Sequence, residues 1–118
     1  MNAGSLYTLN SQPNAMNFFR GAPGMLVVTS DERNPGVTTP EEDVISAVTT
    51  FGLLANANGI GTCWCGFLSQ VQKVVPDVLE KTLGIRRETP FYAMLFGYPA
   101  VAYRRAVMRE GDARTVWL

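Results

Sequence analysis

Apolar residues fall along this chain in distinct rhythms. The run Met25-Leu26-Val27-Val28-Thr29-Ser30 is continuous and β-branched, and Asp31 followed by Asn34-Pro35-Gly36 closes it. It predicts a buried interior strand over 25–30 and then a turn-rich loop. Val44, Ile45, Val48, Phe51 and Ala55 recur at spacings of three and four, the pattern of a helix with one apolar face. Just ahead of them, Thr39-Pro40-Glu41-Glu42 has the form of a capping box. Thr39 would accept a helix N–H, Pro40 would take the first helical position and Glu42 would reach back. Asn58-Gly59 supplies a stop that tolerates the left-handed conformation.

Leu68, Val71, Val74 and Val75 predict a short amphipathic helix, and Pro76 to Leu83 a second one, opened by its proline and closed by Gly84. Arg86, Arg87 and Glu88 fall on the loop beyond. Phe91 to Phe96 predicts a strand apolar on both faces, ended by Gly97-Tyr98-Pro99. Strands separated by helices predict a layered α/β or α+β architecture, a sheet covered by helices. The lead-in carries Gly4, Asn10, Pro13, Asn14, Gly21 and Pro23 with little periodicity. Residues 1–17 therefore read as an irregular N-terminal arm and 18–118 as one domain, with Phe18 and Phe19 anchoring the junction.

Composition narrows the function classes. The 118 residues suit one domain, and 47% hydrophobic residues can fill its core. Ten basic residues balance ten acidic ones, which gives no general pull toward nucleic acid or an anionic membrane and little repulsion between copies. The chain has no histidine, which removes His-based triads, histidine general bases and His-containing zinc sites. Redox chemistry done by a bound cofactor survives that exclusion. Cys63 and Cys65 stand too close for an ordinary bridge and read as packing residues in a reducing compartment, without the partners a metal site needs. No 18-residue apolar run occurs and the opening stretch is polar, so the expectation is a soluble cytoplasmic protein.

Two segments carry candidate chemistry. Gly59-Ile60-Gly61-Thr62-Cys63-Trp64-Cys65-Gly66-Phe67 sets three glycines around a bulky apolar cluster, so its backbone closely approaches either another chain segment or a planar ligand. Near the end, Arg104, Arg105, Arg109 and Arg114 stand against Glu110 and Asp112. They form either a solvated tail or an anion clamp whose guanidinium forks match phosphate oxygens.

Taken in order, Gly21-Ala22-Pro23, the capped helix, Gly59 to Gly66, Leu83-Gly84-Ile85, Gly97-Tyr98-Pro99, Tyr103-Arg104-Arg105 and Trp117 resemble the C-terminal half of the FMN-dependent nitroreductase family. The resemblance implies an α+β fold, a mixed sheet flanked by helices, here truncated at the N-terminus. The family's Arg-Arg-Ser-x-Arg-like phosphate-gripping segment has no counterpart in residues 1–17. The resemblance also implies an FMN-dependent oxidoreductase passing hydride from NAD(P)H to nitroaromatic, quinone or similar acceptors, and an obligate homodimer with FMN at its interface. Trp64, Cys65 and Gly66 match the stretch whose backbone lies near flavin N5, and Arg104, Arg105 and Arg109 match the basic residues that hold the FMN phosphate. No side-chain nucleophile and no metal is implied. The truncation opens two alternatives: a non-catalytic dimeric binding or assembly module, or a chain whose missing half comes from a second subunit.

Overall fold

The computed structural model describes residues 5–8, 19–31, 33–106, 110–111 and 116–118. In chain order the elements are β1 (Ser5–Thr8), β2 (Gly24–Thr29), α1 (Pro40–Ala57), β3 (Gly61–Trp64), α2 (Phe67–Val74), α3 (Pro76–Leu83) and β4 (Phe91–Gly97). Two of these strands escape the sequence pattern. β1 lies inside the stretch read as an irregular arm, and β3 inside the glycine-rich segment.

The strands form one sheet in the order β1-β2-β4-β3, and each neighbouring pair is antiparallel. The sheet described is thus antiparallel throughout, where a mixed one is expected. β2 and β3 do run in the same direction, joined through α1, but the chain returns through α2 and α3 and β4 enters between them.

Register explains why β2 and β4 are apolar on both faces. Met25 lies opposite Leu95 and Val27 opposite Ala93. These four, with Phe91, pack against Cys65, Leu68, Leu79 and Ile85 beneath α2 and α3. On the other face Val28 lies opposite Tyr92 and Leu26 opposite Met94. That face carries Val44, Val48, Ala47 and Phe51 of α1. A strand covered on both faces has no polar side to alternate with, so its sequence is a near-continuous apolar run.

The helix boundaries follow the sequence more closely than their caps do. Pro40 opens α1 as predicted, yet the capping box does not form: Thr39 makes no side-chain cap hydrogen bond. Thr39 sits at φ −135°, ψ 64°, short of the extended ψ usual for a capping hydroxyl, while its carbonyl accepts the first helical N–H, that of Asp43, at 3.0 Å. Glu41, Glu42 and Asp43 still place negative charge at the positive end of the helix. The other end is a Schellman motif. Gly59 takes φ +76°, its N–H donates to Asn56 O (3.1 Å), and the Ile60 N–H donates to Ala55 O (2.9 Å).

Within α1 the buried face is Val44, Val48, Gly52 and Ala55, while Ile45, on the edge of that stripe, stays exposed. Val74 and Val75 are exposed too, against the amphipathic pattern that includes them, because α2 ends at Val74 and Val75 is the joint to α3. Among the described residues no helix is long and apolar enough to cross a membrane.

Candidate functional site at the free edge of the sheet

The strand directions give the sheet two ends. Thr29 and Phe91 mark one, where β2 finishes and β4 begins, with β3 running toward it as far as Trp64 opposite Met94; Gly24, Gly61 and Gly97 mark the other. The residues matched to a cofactor site divide between them.

At the first end stand Trp64, Cys65 and Gly66. The Cys65 N–H donates to Ala93 O at 2.9 Å and its side chain is buried in the core beneath α2 and α3. Cys65 therefore commits both thiol and amide to structure, which removes it from the groups free to hold a ligand. Its bond also fixes the phase of the ladder. Alternate residues of an antiparallel strand turn their N–H and C=O to the partner, so Thr62 and Trp64 turn theirs outward from β4. No described strand pairs with that outer edge of β3. The Trp64 indole is half-exposed and meets the Tyr92 ring edge-on, centroids 5.1 Å apart at 72°. Gly66 then opens α2 without a side-chain cap. The atom nearest to where a Cβ of Gly66 would stand is the Tyr92 hydroxyl, at 3.4 Å.

At the second end, Gly61, Cys63, Gly97, Tyr98 and Tyr103 border an open cleft of about 530 Å³. Cys63 is exposed here with a free thiol, so of the two cysteines read as packing residues only Cys65 packs. Arg104 and Arg105 follow Tyr103 directly, both exposed and without an ion pair to any described residue. Arg109 lies outside the described residues. Trp64 is three strand positions from Gly61, roughly 10 Å along β3. Trp64, Cys65 and Gly66 do not line this cleft, and neither do Arg104 and Arg105.

A third feature carries no predicted site residue. Arg33, Glu80, Arg86, Arg87, Glu88 and Thr89 enclose a cleft of about 460 Å³. Gln72 Nε2 braces its loop by donating to Arg86 O (3.1 Å) and Thr89 O (3.0 Å). Arg33 donates from Nε (3.0 Å) and Nη2 (3.3 Å) to the two oxygens of Asp31. Those hydrogen bonds, chiefly, hold the Asp31 carboxyl below its ordinary range and push the Arg33 guanidinium higher. Acidic and basic groups alternate around this cleft, so it offers no single-signed field to a ligand.

Tyr92 is the residue that sequence reasoning misses at the first end. It sits within a strand whose side chains all read as core, and the one available signal is that a tyrosine carries a hydroxyl that wants a partner or water.

Comparison with known proteins agrees with this architecture. No curated protein matches the chain. The crystal structure of an FMN-bound nitroreductase from Bacteroides fragilis superposes with a TM-score of 0.62 at 19% identity, covering 84% of this chain and 54% of that one. The chain thus spans about half the length of that neighbour. The family model described as the nitroreductase family matches residues 2–98, which include β1 and every element through β4. With most of the chain matched and the layered fold in common, the protein belongs to the nitroreductase family.

Proposed function

We propose that the chain is an FMN-dependent oxidoreductase that takes hydride from NAD(P)H and passes it to nitroaromatic, quinone or similar acceptors. The observation that carries this reading is the outer edge of β3: outward-facing backbone at Trp64, followed by a helix start at Gly66 that carries no side chain. These groups fit the electron-rich edge of a flavin ring. Backbone donors and a helix start stabilise negative charge there at no reorganisation cost. Arg104 and Arg105, unpaired among the described residues at the far end of the strand, fit its phosphate. An elongated cofactor lying along β3 meets both. FMN supplies the two-electron chemistry when bound, while the chain binds the ring, orients it and neutralises the phosphate.

The working unit in this reading is a cytoplasmic homodimer. Supporting it are Leu53 and Leu54, 69% and 61% exposed on α1, and the exposed apolar end Val116-Trp117-Leu118. A second reading rests on the coverage of only 54% of the FMN-bound neighbour: a dimeric assembly module without catalysis, or a chain completed by another subunit.

Titration of the purified chain with FMN, followed by flavin fluorescence with oligomeric state measured in the same samples, separates these. Saturable binding at about one FMN per chain in a dimer supports the oxidoreductase, and NAD(P)H-dependent reduction is then the activity to assay. Replacing Arg104 and Arg105 together by Ala is expected to weaken FMN binding about tenfold or more while leaving riboflavin, which lacks the phosphate, unaffected. A dimer with no saturable flavin binding favours the assembly module.

A further inference from the structure

The hydroxyl of Tyr92 is a polar group that the structural core does not use. Its ring is fixed on two sides. It packs against the Val28, Val44, Val48 and Met94 cluster under α1, and it meets Trp64 edge-on. Its hydroxyl bonds to no described residue. It stands instead beside Gly66, 3.4 Å from the position a Cβ would take. Gly66 has φ −71°, ψ −16°, an ordinary helical conformation open to any residue, so backbone freedom does not require glycine here. What glycine does at this position is leave the phenol uncovered, at the start of α2 and one residue past the buried Cys65.

We infer that Tyr92 is the side-chain hydrogen-bond donor of this site, its phenol binding a carbonyl or anionic edge of the planar ligand at Gly66. The inference rests on the flavin reading for the identity of that ligand. Geometry selects the phenol: the Cys65 thiol is buried in the core, the Trp64 ring stands edge-on to Tyr92, and the Tyr92 hydroxyl is the side-chain atom beside Gly66. A donor whose ring is already immobilised loses little rotamer freedom on binding, which favours a specific, well-aligned bond.

The test uses the full chain with FMN as the probe. Tyr92→Phe keeps the ring and its packing and removes the hydroxyl alone. It is expected to leave thermal unfolding and tryptophan emission of the ligand-free protein unchanged, to weaken FMN binding about tenfold, and to shift the visible absorption of the bound flavin, which responds to hydrogen bonding at its carbonyls. Gly66→Ala places a methyl against the phenol and is expected to give the same loss without unfolding the protein. Unchanged affinity and spectrum in Tyr92→Phe would overturn the role of Tyr92 and leave the flavin reading standing. Absence of FMN binding by the unsubstituted chain would overturn both.

Discussion

The central strand pair and the edge strand of the same sheet are built to opposite specifications. β2 and β4 are covered on both faces, and Met25, Val27, Ala93, Met94 and Leu95 are each almost wholly buried. β3 pairs on one side only, and its Cys63 and Trp64 are exposed. One region spends its side chains on packing and its backbone on the ladder. The other has an outer backbone edge that no described strand pairs with. Hydrophobic burial at roughly 25 cal/mol per Å² makes the centre the source of stability, and unsatisfied edge groups make β3 the place where a ligand has something to gain.

Met94→Ala tests the central half of that contrast most severely. Met94 is 1% exposed and packs with Val28, Val44 and Val48, its methyl close over Gly52 of α1. Truncation forfeits its transfer free energy and leaves a cavity between α1 and the sheet, at a cost of about 2–5 kcal/mol. Urea unfolding should show the midpoint fall sharply. A loss below about 1 kcal/mol would mean that the centre does not carry the fold.

The same contrast explains what the sequence shows and what it hides. β2 and β4 announce themselves as continuous apolar runs because both their faces are buried, α1 and α3 through the period that one buried face forces, and Pro40, Pro76, Gly59 and Gly84 mark helix ends for steric reasons local to each residue. β3 has no such period. It is four residues long, Gly61-Thr62-Cys63-Trp64, half-exposed, and held by a partner thirty or more positions away. β1 is as short, and its partner strand likewise lies well away in the sequence. Thr39 satisfies the residue pattern of a cap while its backbone torsions deny it the geometry. At the site, Trp64 and Gly66 could be matched by motif. The loss of Cys65 to the core depends on the ladder's phase, and the hydroxyl of Tyr92 depends on where Gly66 falls in space; neither is a property of local sequence.

Two facing glycines sharpen the comparison at smaller energy. Gly61 and Gly97 are direct partners across β3 and β4, yet their surroundings differ. A Cβ on Gly97 would lie 2.6 Å from Cδ and 2.9 Å from Cγ of Pro23, a rigid ring that has to move bodily. On Gly61 the nearest atom would be the Gly97 carbonyl oxygen at 3.4 Å, an ordinary contact. Gly97→Ala is therefore expected to cost about 1–3 kcal/mol by overpacking, and Gly61→Ala to stay within about 0.5 kcal/mol of the parent. Thermal unfolding of the two variants side by side decides it. Equal losses would show that the edge strand is packed as tightly as its neighbour.

The smallest effect belongs to the rim, where Arg33 clasps Asp31 through two side-chain hydrogen bonds and the Arg33 amide adds a third to Asp31 Oδ1 at 3.1 Å. Folding lowers the pKa of Asp31, so the folded state binds its proton more weakly than the unfolded chain does. The stabilisation is accordingly complete above the ordinary carboxylate value of about 3.9 and drains away as pH falls through that value and then through the lowered one. Both side chains lie at the surface, where water and salt screen the pair and measured contributions are small. Asp31→Asn should lower the unfolding temperature slightly at neutral pH, by less at high salt, and the gap to the parent should close in acid. A large, salt-insensitive loss would instead assign the 31–36 turn to the structural centre, since a screened surface pair cannot supply it.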